Sequence, residues 1–163
     1  MIIEVSKCTP EGVVFEGEEL PVVLGMEGDP DVRVESPLNY RVTVSMVRGG
    51  LLVQGRVWTR FSFACGRCGG FFSTILEDSA FLRDYPLRED QDEIDITDDL
   101  REAVLLRIPT VPLCSDSCEG RCPYCGVDRN RTSCSCRPPQ ANHVWSALDQ
   151  LQKDGEDGVF RSS

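Results

Sequence analysis

Residues 38–81 read LNYRVTVSMVRGGLLVQGRVWTRFSFACGRCGGFFSTILEDSAF, and this stretch decides the fold. From Leu38 to Val47 the side chains alternate. Leu38, Tyr40, Val42, Val44 and Met46 fall on one side, and Arg41, Thr43 and Ser45 on the other. A period of two is that of a strand with one buried face. Arg48-Gly49-Gly50 is a turn signal. Alternation resumes from Leu51 to Ala64. Leu51, Val53, Val57, Phe61 and Phe63 share one face; Gln54, Arg56, Arg60 and Ser62 share the other, interrupted by Leu52 and Trp58. Phe71 to Phe81 reads as a third strand. Three strands in succession with short turns predict an antiparallel meander, and its pairing puts Arg41, Arg56 and Arg60 on one face.

Upstream, residues 1–35 hold short apolar pieces among glycines, prolines and acids, which predict one or two short strands. Downstream, residues 84–93 read as a polar, acidic loop. Asp95 or Thr97 can cap a helix reaching about Arg107, with Leu100, Val104 and Arg107 on one stripe and Ala103 beside it. Pro109 and Pro112 end it. Asn142 can cap a short helix carrying Val144, Ala147, Leu148 and Leu151. The expected class is α+β: an antiparallel β-meander or small barrel-like sheet, one or two short helices, and a Cys-rich zinc-binding segment. The expected division is a sheet domain with one helix over 1–112, the Cys-rich segment packed on it over 113–140, a short helix over 141–152, and a disordered tail over 153–163.

The chain has 163 residues and a formal net charge of −10, unevenly spread. Residues 1–35 carry −7 and residues 87–102 carry −6, whereas residues 36–83 carry +4 and residues 118–140 carry +2. This balance excludes broad, nonspecific phosphate binding. No apolar run approaches the roughly 18–20 residues of a membrane helix. The first residues, Met-Ile-Ile-Glu-Val-Ser-Lys, lack the basic and apolar regions of a secretory signal. The expected location is therefore the cytoplasm, where thiols stay reduced. Nine cysteines, an odd number, also argue against a fully paired disulfide framework.

Eight of the nine are grouped: Cys65-x2-Cys68, then Cys114-x3-Cys118-x3-Cys122-x2-Cys125-x8-Cys134-x-Cys136, with Cys8 alone. A two-residue gap across a tight turn lets both sulfurs reach one ion, and Gly69 and Gly126 suit such turns. By count, eight thiols make two closed sites, each holding a structural zinc. The preferred partition joins Cys122, Cys125, Cys134 and Cys136, leaving Cys65, Cys68, Cys114 and Cys118 to pin the loop to the hairpin tip. An interleaved partition and a single zinc are the alternatives. A thiol–disulfide redox protein is a competing reading, but Cys68 is followed by Gly-Gly and a strand rather than by the helix that lowers a thioredoxin-type thiol. His143, the single histidine, sits at a helix start as a capping or surface residue. Phosphate loops, nucleophile elbows and dinucleotide fingerprints are missing from the sequence, which thus predicts neither catalytic residues nor a small-molecule substrate.

Several motifs in order carry a resemblance. They are Cys65-x-Arg67-Cys68 between strands, Ile94-Asp95-Ile96 before a helix, Ile108-Pro109-x2-Pro112-Leu113-Cys114, and Cys118-x-Gly120-x-Cys122-Pro123-x-Cys125-Gly126-x3-Asn130 followed by Cys134-x-Cys136. Over about residues 38–152 the chain resembles the bacterial YceD family of large ribosomal RNA subunit accumulation proteins. The resemblance implies a non-catalytic factor in ribosome biogenesis that supports 23S ribosomal RNA accumulation. It also implies a partner among ribosomal RNA, ribosomal proteins or assembly proteins, and no membrane. Arg41, Arg56, Arg60 and Arg67, with Arg121, Arg129 and Arg131, then become candidate RNA-binding residues, because the guanidinium fork pairs with phosphate and stacks on bases. A zinc-ribbon interaction module in transcription is the remaining alternative.

Overall fold

The alternating stretch forms the strands its pattern predicts. A computed structural model describes residues 1–137. The helix expected over 141–152, the tail expected over 153–163 and His143 lie outside the described residues. The strands are β1 (Ile2–Glu4), β2 (Val13–Glu19), β3 (Val32–Val34), β4 (Leu38–Val47), β5 (Gly50–Ala64), β6 (Phe71–Pro86) and β7 (Glu93–Asp95), and the helix is α1 (Thr97–Leu105). β4 and β5 form a hairpin in which Arg41 faces Arg56 and Val44 faces Val53. β5 and β6 pair along their whole length, from Ala64 opposite Phe71 to Gly50 opposite Pro86, with a register shift between Gly55 and Val57. β2 takes the far edge of β4.

β3 pairs with the end of β5 on the edge that β4 occupies further along. β3 and β4 are one strand line interrupted at Glu35–Pro37. The break is satisfied by side chains: Thr59, fully buried, donates to the Ser36 carbonyl at 2.9 Å, and the Ser36 hydroxyl accepts from the Arg60 N–H at 3.0 Å. Such a bulge shifts the register from Val34 opposite Phe61 to Asn39 opposite Trp58, and the Glu35 N–H still donates to the Arg60 carbonyl at 2.8 Å.

One face of the sheet is apolar, carrying Leu38, Val42, Val44, Leu51, Val53, Val57, Phe61, Phe63 and Phe81. A second layer covers it: α1 through Leu100, Ala103 and Val104, the β1–β7 ribbon through Ile3 and Ile94, and the turn bearing Leu24. The sheet is open. β2, β3 and β6 are its edges and do not pair with one another, so it is not the barrel-like form that was also expected. The reason is physical: once a second layer covers the apolar face, closure is not needed to bury it.

Two local expectations are corrected. β6 runs five residues past Phe81 to Pro86, and part of the expected acidic loop is strand β7. The first 35 residues contribute three short strands rather than one or two. The helix starts where expected, but its N-cap is Ile96 with no side-chain cap, the Asp95 carboxylate accepting from the Thr97 N–H at 2.9 Å; it ends at Leu105, and Arg107 lies beyond it, exposed. Among the described residues no helix is long and apolar enough to cross a membrane.

Candidate metal centre

The turn from β5 to β6 and the segment after α1 each contain a Cys-x-x-Cys-Gly sequence, and the two fold alike. In the first, Cys65 N–H donates to the Gly70 carbonyl at 2.9 Å and Gly69 N–H to the Cys65 carbonyl at 2.8 Å. In the second, Cys122 N–H donates to Val127 at 2.8 Å and Gly126 N–H to Cys122 at 2.9 Å. Both turns close through a left-handed residue, Gly69 at φ 69° and Gly126 at φ 73°, which a glycine adopts without Cβ strain. Each turn presents its two thiols on one side.

The eight sulfurs gather as Cys65, Cys68, Cys114 and Cys118, here called the inner group, and Cys122, Cys125, Cys134 and Cys136, the outer group. Within each group all Sγ atoms lie within 4.8 Å of one another. In the inner group Cys65 and Cys118 are 3.9 Å apart, as are Cys68 and Cys114. A tetrahedron with metal–sulfur bonds of about 2.3 Å has edges of about 3.8 Å, so the donor set fits a metal ion. Cys8 stands apart, buried in the main core with its thiol pushed up by burial.

Backbone donors prepare one thiolate in each group. Burial pushes the Cys65 thiol up, but N–H donors from Cys114, Cys68 and Arg67, with the Cys114 side chain, outweigh it and bring it to about 6. Donors from Cys125 and Tyr124 bring Cys122 to about 6 against its burial. The neighbours move the other way. Cys114 is pushed up to about 12, chiefly by its bonds with Cys118 and Cys65, and Cys136 to about 12, chiefly by its bond with Cys125. Each cage without a cation thus favours one charge and resists the next. A dication lifts that resistance, since metal binding displaces thiol protons.

The inner group is braced from both directions. The Arg67 guanidinium donates to the Asp116 and Cys118 carbonyls at 2.9 and 3.1 Å, and Arg121 Nε donates to the Cys68 carbonyl at 2.7 Å. Asn130, from the outer loop, donates through Nδ2 to Cys118 Sγ at 3.4 Å and accepts from Glu119 N–H at 2.8 Å. Residue type alone did not reveal these roles. An arginine suited to phosphate is equally suited to carbonyls, and only the fold decides. Asn130 carried a weak signal, because Asp128-x-Asn130 is a turn pattern, and the Asp128 carboxylate does accept from the Asn130 N–H at 3.0 Å.

The other arginines lie apart from the thiols or pair with acids. On the open sheet face Arg41 meets Glu16 at 2.8 Å, and Arg56 lies 4.3 Å over the Trp58 ring with Glu77 at 4.0 Å. Arg60 shares that face and, among the described residues, has no carboxylate in ion-pair range. In the Cys-rich segment Arg129 faces Glu119 at 3.8 Å and Arg131 faces Asp128 at 3.6 Å. The fold therefore brings Arg41, Arg56 and Arg60 onto one face, while Arg67 and Arg121, themselves exposed, donate to backbone carbonyls beside the inner thiols.

Residues 73–152 match the family model described as large ribosomal RNA subunit accumulation protein YceD. Two curated relatives are each named large ribosomal RNA subunit accumulation protein YCED homolog 1, chloroplastic. The one from Arabidopsis thaliana is 31% identical over 61 residues, covering 37% of this chain and 19% of the relative. The one from Zea mays is 26% identical, covering 63% of this chain and 50% of the relative. The chain thus spans half or less of the length of these relatives. These matches bear out the resemblance read from the motifs. No solved structure matches the chain.

Proposed function

We propose that this protein is a non-catalytic, zinc-stabilised accessory factor that supports accumulation of large-subunit ribosomal RNA. The match of residues 73–152 to the YceD family carries the reading. The two four-thiol groups support it, the inner one as the element that would hold the Cys-rich segment on the hairpin tip and the outer one as a closure within that segment. Zinc is the ion that four thiolates in a reducing cytoplasm favour, and bound there it supplies structure rather than a reactive position, because all four positions are filled by protein. Cys65 and Cys68 from the hairpin, with Cys114 and Cys118 from the segment, would hold one ion; Cys122, Cys125, Cys134 and Cys136 would hold the other.

Contact with RNA falls to the open face of the sheet, on Arg56, Arg60 and the Trp58 ring between them, with Arg41, Arg129 and Arg131 contributing charge. Arg67 and Arg121, exposed beside the inner thiols, each give one guanidinium nitrogen to backbone carbonyls and keep further donors for RNA. The decisive experiment is depletion of the protein followed by ribosome profiling. A deficit of large subunits is expected, and a normal profile would sink the reading. RNA contact is tested by titration across salt, where the Arg56→Glu/Arg60→Glu variant is expected to lose affinity and flatten the salt slope.

A further inference from the structure

The two cysteine groups have the same donors in different surroundings. Three of the four inner thiols, Cys65, Cys68 and Cys118, are buried, and Phe72 and Leu113 pack on them. Only one outer thiol, Cys122, is buried; Cys134 is half-buried, and Cys125 and Cys136 are exposed. A surface cavity of about 360 Å³ opens beside the outer group, lined by Cys122, Pro123, Tyr124, Arg129, Cys134 and Cys136. The inner thiols come from segments 46 to 53 residues apart and are braced by Arg67, Arg121 and Asn130. The outer thiols come from one short loop, residues 122–136.

We propose that the outer group is an oxidation site, at which hydrogen peroxide joins Cys125 to Cys136 and releases the metal ion while the inner group keeps its own. The inference rests on the zinc reading above. One thiolate attacks a peroxide oxygen; the O–O bond breaks, hydroxide leaves and a sulfenic acid forms. The second thiolate attacks that sulfur, forming the S–S bond and expelling a second hydroxide. Each sulfur gives up one electron, and the two electrons reduce the peroxide to water once protons are taken up. The ion is left with two thiolate ligands and dissociates. The cavity gives the peroxide a path to Cys136, which lines it, and Cys125 is itself exposed. The Sγ atoms, already within 4.8 Å, need only a local loop movement to bond. The inner group offers no comparable approach, because its exposed member, Cys114, has three buried neighbours. Exposure of the thiolate is what selects among cysteines of equal type.

The test uses the full chain loaded with zinc, its metal content measured first. Hydrogen peroxide is added, zinc release is followed with a chromogenic chelator, and disulfides are mapped by mass spectrometry. One equivalent is expected to leave early with a Cys125–Cys136 disulfide, and the second at least about tenfold more slowly. The Cys136→Ser variant should form no early disulfide yet retain the slow equivalent. Release of both ions in one phase, or a first disulfide at any other pair, overturns the proposal. Zinc missing from the protein before oxidation overturns the metal reading instead.

Discussion

The two Cys-x-x-Cys-Gly turns share their hydrogen bonds and their left-handed glycine, yet they serve different ends of the architecture. The first caps a long hairpin whose strands lie in the core, and its partners arrive from 46 residues away. The second closes its group from within a single loop, Cys122 to Cys136. Clamping a distant segment removes more freedom from the unfolded chain than clamping a near one. For spans of 46 and 9 residues (Cys68–Cys114 and Cys125–Cys134) the difference is about 1.4 kcal/mol. Burial adds to it. The same local motif is therefore a structural clamp in one place and an exposed, local closure in the other.

The largest effect that would sharpen this contrast is loss of one ligand. Cys68→Ser should destabilise the metal-loaded protein by on the order of 3 kcal/mol, since the buried cage loses both its ion and its packing. Cys125→Ser should cost about 1 kcal/mol, since its loop is local and exposed. Urea unfolding of both variants checks this, and equal losses would erase the distinction between the groups.

A smaller effect separates the glycines. Gly120 has φ +73°, and a Cβ there would come within 2.9 Å of the Arg67 carbonyl. Gly126 has the same φ with nothing within 4 Å. Gly120→Ala should therefore cost about 2 kcal/mol, through strain and a displaced Arg67, while Gly126→Ala should cost about 1 kcal/mol from the backbone alone. Thermal melts that rank them in reverse would break the account of the inner clamp.

The smallest effect comes from the far end of the same hairpin, which is held without thiols. Tyr85 on β6 donates to the Asp99 carboxylate of α1 at 2.5 Å. Burial, then that bond and the nearby charge of Asp99, push the phenol well above its usual range. A raised folded value means the contribution is complete below the unfolded value of about 10 and is lost as pH rises beyond it. Stability should fall above about pH 10, and Tyr85→Phe should remove that part of the slope. An unchanged slope in the variant would show that the tyrosine does not hold this end.

The strands and helix were legible because their periods are unambiguous. Leu51, Val53, Val57, Phe61 and Phe63 all face the core as the alternation requires, and Leu100, Ala103 and Val104 are the buried stripe of α1. The grouping of the cysteines was also readable in outline, since paired spacings and following glycines restrict the turns. What spacing could not carry was long-range. That β3 and β4 share one edge of β5 depends on the bulge at Ser36. That the sheet stays open depends on α1 and the β1–β7 ribbon covering it. That Arg67 and Arg121 turn to carbonyls depends on where the Cys-rich segment lands. Each is a consequence of packing between distant segments, which single-strand periodicity does not encode.

The central claim is that two four-thiol cages hold metal and that the inner one clamps the segment to the hairpin. Metal analysis of the purified protein, paired with native mass spectrometry, tests it most directly. Two zinc ions per chain are predicted, with the inner ion the last to leave on chelation. Fewer than one ion per chain, with eight freely reactive thiols in a protein that stays folded, would contradict it.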